Sequence, residues 1–188
     1  MQNHYIVFDL EATCWEGFQR RNLSEIVEIG ALKFDVYGQR LGRFHSFVKP
    51  VFHPHLSPYF LRLTGIAPED VLGASGFKEV YHSFFDWVYA DSDEVLLCAW
   101  GKDDFRFLQS NLQAHRLPLL SPEMYLDVKA VYNDAIRRMN GKPSGLIKAL
   151  HQEGFEFDGR QHRAFDDAYN LSKLFVKHID EWQRYKRR

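Results

Sequence analysis

Short runs of β-branched and aromatic residues near the start of the chain predict three strands. YIVFDLE, residues 5–11, is typical of a buried strand. EIVEIGALKFD, residues 25–35, alternates apolar and polar positions, as a strand with two different faces does. RFHSFVKP, residues 43–50, predicts a third strand that ends at Pro50. VYGQRLG supplies a turn before the third strand, so the three strands should form a meander.

Helical spacing first becomes clear after residue 76. Residues 77–90 repeat apolar side chains along one helix face. The repeating residues are Phe77, Val80, Phe84 and Val88. A buried strand is predicted over residues 94–101, a helix over 102–115 and a short strand over 124–128. Residues 51–76 contain several prolines and glycines and are predicted to be irregular.

The last third of the chain is predicted to be mainly helical. Ser144 is a good N-cap and Gly154 a good stop for a helix over residues 145–154. Residues 163–185 predict one long final helix, and the chain ends in a basic YKRR tail. This order of elements predicts an α/β fold in which a mixed five-stranded sheet is flanked by helices. Residues 1–188 fit one domain, with a core from about residue 5 to about residue 179.

Composition narrows the class of protein. With 45% hydrophobic and 15% aromatic residues, the chain is globular and not disordered. Its net charge of −1 means that a nucleic-acid-binding surface would need a local concentration of basic groups. Two cysteines, Cys14 and Cys98, exclude a disulfide framework and suit a reducing compartment. Neither a signal peptide nor a membrane span is predicted, so we expect a cytoplasmic location.

Acidic residues gather where predicted strands end and predicted helices begin, which is where α/β sheets place their ligand sites. Alternation along the first strand puts Asp9 and Glu11 on one face. Two acidic pairs open predicted helices, and one histidine lies just before the second pair. These residues are Asp103 and Asp104, Asp166 and Asp167, and His162.

Each acidic group alone has an ordinary structural explanation, because aspartates often cap helices and strand ends are often solvated. Together they form the arrangement that hard divalent cations require, since Mg²⁺ and Mn²⁺ prefer oxygen ligands. Four carboxylates can hold two such ions about 3.5–4 Å apart, the separation that clamps a phosphoryl group. A neutral imidazole beside them can accept a proton from water.

Four segments resemble the motifs of the DEDDh 3′–5′ exonucleases, a family named for four acids and a histidine. They are DLEAT at residues 9–13, LRLTGIAPEDV at 61–71, AWGKDDFRFL at 99–108 and HRAFDDAYN at 162–170. DLEATCW followed by SEIVEIGALKFD most resembles the enhanced-RNA-interference branch of that family. The resemblance covers nearly the whole chain and implies a ribonuclease H-like fold.

The resemblance also implies a site for two divalent cations, Mg²⁺ or Mn²⁺. In that site Asp9 would bridge both ions, Glu11 and Asp167 would complete one position, and Asp104 would reach the other, directly or through water. His162 would act as the general base that activates the attacking water.

The acids of the second and third motifs follow from the family spacing. The family has an acid three residues before an apolar pair. With Phe107 and Leu108 as that pair, the acid is Asp104, and it would be Asp103 if the helix began one residue earlier. An acid five residues after the histidine selects Asp167. Asp166 would then be a solvent-facing neighbour or a hydrogen-bond partner.

The implied substrate is the 3′ end of a single-stranded nucleic acid, with RNA favoured over DNA and a 5′-mononucleotide as product. Glu11 would also contact the terminal 3′-hydroxyl, Thr64 would hydrogen-bond the nucleotide and Ile66 would lie against its base. Alternatively, residues 64–66 form a turn with a hydrophobic plug. The residues assigned to nucleotide binding are Ala12, Thr13, Thr64, Gly65, Ile66 and His162.

Single strands are usually held by basic groups and stacking platforms. We expect Trp15 and Phe18 to stack on bases, and Trp100 to lie in the core. The basic candidates are Arg20, Arg21, Lys102, Arg160 and Arg163. Two other function classes stay open, a non-catalytic regulator that binds nucleic acid or protein and a small-molecule nucleotidase or phosphatase, and so does the oligomeric state.

Overall fold

The structure is a computed structural model that describes residues 4–17, 24–136 and 145–186. Its strands are β1 His4–Ala12, β2 Ile26–Phe34, β3 Arg40–Phe47, β4 Val95–Ala99 and β5 Tyr125–Asp127. Its α-helices are α1 Pro58–Thr64, α2 Pro68–Leu72, α3 Phe77–Tyr89, α4 Asp103–Ala114, α5 Val128–Val131, α6 Leu146–Gln152, α7 Ala164–Lys177 and α8 Ile179–Lys186. A 3₁₀ turn, Pro122–Met124, precedes β5, and a π-helical turn, Tyr132–Ile136, follows α5.

The five strands form one mixed sheet in the order β3-β2-β1-β4-β5. β1, β2 and β3 pair antiparallel, which confirms the predicted meander. β4 pairs parallel to both β1 and β5. The parallel strands place their carboxyl ends at one edge of the sheet, and β1 ends there with its acidic residues.

Helices cover both faces of the sheet. On one face, Val7 and Leu32 belong to a core shared with α6, α7 and α8. On the other face, Phe8 and Ile29 belong to a core shared with α3 and α4. β2 is buried along its whole length, so the polar positions that alternate along it are buried as well. Within the part of the chain that the structure describes, no helix combines the length and apolar character needed to cross a membrane.

Residues 51–76 are more regular than predicted, because α1 and α2 lie within them. The hydroxyl of Ser57 accepts a hydrogen bond from the amide of Phe60 at 3.0 Å, and Pro58 occupies the first turn of α1. Gly65 ends α1 with φ of 66°, a left-handed conformation that favours glycine. The proline and glycine that suggested irregular structure are therefore the start and stop signals of a short helix.

The prediction of one long final helix is wrong, because α7 ends at Lys177 and α8 begins at Ile179. The break lets Trp182 fold back on Phe175, with ring centroids 5.8 Å apart and the indole N–H donating to the Phe175 carbonyl at 2.7 Å. Gly154 follows α6 with φ of 80°, as its predicted role requires. Gly145 is the N-cap of α6, and Ser144 lies outside the described residues.

Candidate active site

Three of the predicted site acids meet at the carboxyl end of β1. Asp9 and Glu11 share one face of β1, and Asp167 approaches them from the first turn of α7. One carboxylate oxygen from each of the three lies within 4.8 Å of the others. All donors are oxygens, so this cluster has the ligand chemistry of a hard divalent cation.

The environment of this cluster opposes negative charge. Burial, followed by the charges of Asp104, Asp167 and Glu11, raises the pKa of Asp9 well above its usual range. Burial and the charge of Asp167 raise the pKa of Glu11 to about 8. Burial likewise raises the pKa of Asp167. A bound cation would reverse this balance, because it stabilises the ionised carboxylates that the fold otherwise destabilises.

Asp104 lies behind the cluster at the start of α4. Its side chain is buried and accepts a hydrogen bond from the backbone amide of Leu10 at 3.0 Å. Burial raises the pKa of Asp104, and this hydrogen bond opposes the increase. Asp103 points away, since its side chain is 79% exposed and pairs with Arg106 at 3.3 Å. Of the two candidates in the second motif, the structure thus turns Asp104 toward the cluster.

Asp167 is positioned by the way α7 begins. Its carboxylate accepts a hydrogen bond from the amide of Arg163 at 3.2 Å, and its own amide donates to the Arg163 carbonyl at 2.9 Å. The first residues of α7 lie directly on β2 at Gly30, which pairs with Asp9 on β1. The close approach of helix to strand brings Asp167 to the acids of β1.

Glu28, for which the sequence predicts no role, anchors the start of α7. Its carboxylate is fully buried and pairs with Arg163 at 3.0 Å and His45 at 2.7 Å. It also accepts a hydrogen bond from the amide of Ala164 at 3.0 Å. Burial by itself raises the pKa of Glu28, but these hydrogen bonds outweigh it and hold the pKa below its usual value. Glu28 is the cross-strand neighbour of Glu11, so this ion pair lies beside the acidic cluster.

The loop that carries His162 is tied to α7 by two side chains of the third motif. Asp166 accepts a hydrogen bond from the Arg160 amide at 2.8 Å. The buried amide of Asn170 bonds both backbone groups of Asp158, at 2.9 and 2.7 Å. His162 itself has φ of 61°, and burial lowers its pKa. The two adjacent aspartates therefore differ, because Asp167 faces the cluster and Asp166 holds the loop.

The residues assigned to the nucleotide have mostly buried side chains. Ala12 and Thr13 are buried at the end of β1. The hydroxyl of Thr64 donates to the Phe60 carbonyl at 2.9 Å and accepts from the Ile66 amide at 3.1 Å.

Ile66 packs with Val27, Phe60 and Val71 in a small apolar cluster. The side chains of Thr64 and Ile66 thus match the alternative of a turn with a hydrophobic plug. Gly65 is exposed, and the Arg160 guanidinium lies against it. Nucleotide contacts from this turn stay a prediction.

The side chains predicted to contact a nucleic-acid strand differ in their exposure and in their partners. Trp15 is half-buried and lies edge-on to His53, with ring centroids 4.9 Å apart. Trp100 packs against Tyr132 at the border of the core, as expected. Lys102 is exposed, whereas Arg163 is committed to Glu28. Phe18, Arg20 and Arg21 lie outside the described residues.

Comparison with known proteins gives a family match over most of the chain. Residues 6–175 match the family model described as RNase_T: Exonuclease. ERI1 exoribonuclease 2 of Homo sapiens is 31% identical over 200 residues, covering 94% of this chain and 28% of the human protein. The 3′-5′ exonuclease eri1 of Schizosaccharomyces pombe is 29% identical over 208 residues, covering 95% of this chain and 68% of the yeast protein. The chain therefore spans under a third of the length of ERI1 exoribonuclease 2.

A solved structure gives the same result for the fold. The nuclease domain of 3′hExo, described as a DEDDh family member bound to rAMP, matches with a TM-score of 0.87 and 24% sequence identity. The match covers 96% of this chain and 93% of that chain. It confirms the predicted ribonuclease H-like fold of the DEDDh exonucleases.

Proposed function

Because its residues 6–175 match the exonuclease model, the chain belongs to the RNase T family of DEDDh exonucleases, and we propose that it removes nucleotides from the 3′ end of single-stranded RNA. The family consists of phosphodiester hydrolases that are generally metal-dependent. The observation that carries the proposal is the convergence of Asp9, Glu11 and Asp167 within 4.8 Å at the carboxyl end of β1. Binding of nucleic acid alone does not require three carboxylates held together against their repulsion.

The donor set fits two hard cations. Glu11 and Asp167 would hold one ion, Asp104 would hold the other directly or through water, and Asp9 would contribute to both positions. Two Mg²⁺ or Mn²⁺ ions bound there would polarise the phosphate and lower the pKa of water. The raised pKa values of these acids support the assignment, because positive charge is what would keep all of them ionised at neutral pH.

The protein residues supply the proton transfer and the recognition of the end. His162 accepts the proton of the attacking water, and its lowered pKa keeps the imidazole in the neutral form that this role requires. Glu11 accepts a hydrogen bond from the terminal 3′-hydroxyl, which restricts cleavage to the end of the strand. Water adds to phosphorus, and the bond to the 3′-oxygen of the penultimate nucleotide breaks. That oxygen takes up a proton from solvent to become the new 3′-hydroxyl, and a 5′-mononucleotide leaves.

The terminal nucleotide would lie between the end of β1 and the turn that follows α1. Ala12 and Thr13 would contact it from one side and residues 64–66 from the other. Backbone groups and the exposed Gly65 would make these contacts, since the side chains of Thr64 and Ile66 are occupied within the fold. RNA is the favoured substrate because the similar proteins from Homo sapiens and Schizosaccharomyces pombe include an exoribonuclease by name.

A time course on single-stranded RNA labelled at its 5′ end tests the proposal. The RNA and the matching DNA are incubated with Mg²⁺, with Mn²⁺ and with chelator, and Asp167→Asn protein from the same purification controls for contaminating nucleases. We expect a ladder that shortens from the 3′ end, faster for RNA, and that chelator abolishes. Turnover of free nucleotides without shortening of RNA would indicate a nucleotidase. Folded protein that binds RNA but cleaves nothing would indicate a regulator.

A further inference from the structure

An open groove lies on the same face of the sheet as the acidic cluster, on the far side of the start of α7. Two adjoining cavities of about 690 and 530 Å³ form it, and both are lined by Arg43, Phe165 and Asp166. Arg40 extends the groove along β3, and Tyr169 extends it along α7. We refer to this feature as the β3 groove.

Strand register fixes where the β3 groove lies relative to the acids. Gly30 of β2 is opposite Asp9 on one side and opposite His45 of β3 on the other. Two strand spacings separate β1 from β3, or about 10 Å. The span from the acidic cluster to the β3 groove therefore corresponds to a few nucleotides of a single strand, routed past the loop that carries His162.

The β3 groove has an excess of positive charge, which Arg40 and Arg43 carry. Arg40 and Arg43 are exposed, and within the described residues neither has a carboxylate within ion-pair distance. The acids that line the groove are compensated, because Asp158 pairs with Lys173 at 2.7 Å and Glu28 pairs with Arg163 and His45. Asp166 also faces the groove, where its carboxylate accepts the hydrogen bond from the Arg160 amide.

Two aromatic rings that line the β3 groove lie beside cations. Arg43 lies over the Phe165 ring at 6.0 Å, and Lys173 lies over the Tyr169 ring at 5.2 Å. The Tyr169 side chain is 37% exposed. Lys173 is paired with Asp158, whereas Arg43 has no carboxylate partner among the described residues. A cation without an ion-pair partner beside partly exposed rings is the combination that holds single-stranded nucleic acid by phosphate contact and stacking.

We propose that the β3 groove binds the phosphate backbone of the substrate strand upstream of its 3′-terminal nucleotides, with Arg40 and Arg43 as the phosphate contacts. The proposal rests on the proposed function, since it assumes that the acidic cluster receives the 3′ end of the same strand. The proposal predicts that binding affinity depends on the length of the RNA strand. Strands long enough to reach the β3 groove bind more tightly than strands that fill only the acidic site.

The test is a binding titration of fluorescent single-stranded RNAs of increasing length, in chelator so that nothing is cleaved. The Arg40→Ala/Arg43→Ala protein is compared with wild type and with Arg184→Ala/Lys78→Ala, which removes two exposed cations from α8 and α3. We expect the groove variant to bind long RNA about tenfold more weakly at low salt. Its log–log salt slope should fall by about 1.4, or about 0.7 for each lost phosphate contact. The control variant should match wild type, and the loss should vanish for the shortest RNAs.

The outcomes separate this inference from the proposed function. If wild type shortens RNA but the groove variant keeps wild-type affinity and salt slope, the β3 groove is not the path of the strand and the exonuclease proposal stands. If the variant loses affinity equally for the shortest and the longest RNAs, the effect is not upstream contact and the inference is wrong. If wild type neither binds nor shortens RNA, the proposed function fails and the inference fails with it.

Discussion

No side chain fits between Gly30 of β2 and Phe165 of α7. A Cβ atom added to Gly30 would lie 2.2 Å from the amide nitrogen of Phe165, a distance at which the two backbones must separate. Gly30 is also the cross-strand neighbour of Asp9, so α7 contacts β2 next to a proposed metal ligand. The spacing between β2 and α7 therefore determines whether Asp167 reaches the acids of β1.

The first prediction concerns this contact. Gly30→Ala should displace the start of α7, lower the free energy of unfolding by about 3 kcal/mol or more, and reduce RNA cleavage further than the stability loss explains. Gly73→Ala is the matched control, because a Cβ there meets nothing within 4 Å. Denaturant unfolding and single-turnover cleavage measure both effects. Wild-type cleavage by Gly30→Ala would contradict the role given to this contact.

The second prediction concerns the buried carboxylate of Glu28. Its folded-state pKa is lowered, so its ion pair stabilises the fold at pH values above its unfolded-state pKa and this contribution disappears as pH falls through the folded-state pKa. Glu28→Gln should therefore lower the free energy of unfolding by about 3 kcal/mol at pH 7, with the difference from wild type shrinking below about pH 4.

Exposed Glu16 provides the control for Glu28. Glu16 pairs with Arg62, and their side chains are 76% and 65% exposed, respectively. Glu16→Gln should therefore leave the unfolding curve unchanged. A Glu28→Gln penalty that is the same at pH 3 and pH 7 would show that lost packing, and not the ion pair, destabilises the variant.

The third prediction separates the two aspartates of the second motif. Asp104→Asn should reduce cleavage by at least about a thousandfold, because Asp104 is the buried acid beside the cluster. Asp103→Asn should stay near wild type, since it removes only an exposed pair with Arg106. Initial rates at saturating Mg²⁺ compare the two variants. The reverse order of activities would move the ligand assignment to Asp103.

The fourth prediction concerns the general base. His162→Ala should reduce turnover by about 10² to 10⁴ without changing the affinity for Mn²⁺. Because burial lowers the pKa of His162, the acidic limb of the wild-type rate profile should fall below the usual histidine value of 6.5. His55→Ala, which removes an exposed histidine, serves as the control. A normal rate in His162→Ala would remove His162 from the mechanism.

Local patterns in the sequence were sufficient to predict the sheet and the position of its acids. The strand over residues 4–12 is set by a run of apolar residues, and alternation along it places Asp9 and Glu11 on one face. The short helices within residues 51–76 do not follow from composition, because proline is most often a helix breaker. Ser57 before Pro58 is nevertheless a helix start.

Long-range contacts explain what the sequence did not reveal. In the sequence, Glu28 is one polar position of an alternating strand. Its role is not visible there because its partner Arg163 lies 135 residues away. Gly30 did carry a usable signal, since a glycine inside a strand often marks the close approach of another backbone. The bend after α7 depends on the packing of Trp182 against Phe175, which periodicity alone does not encode.

The first product released from a single-stranded RNA of defined sequence distinguishes 3′–5′ exonuclease action from every other mode of cleavage. Wild type and Asp167→Asn are incubated with Mn²⁺, and the products are identified by mass spectrometry. We expect wild type to release first the 5′-monophosphate of the 3′-terminal nucleotide and to leave a strand one nucleotide shorter. Asp167→Asn should release at least about a thousandfold less of this product. Internal fragments, nucleoside 3′-phosphates, release from the 5′ end, or equal release by Asp167→Asn would contradict it.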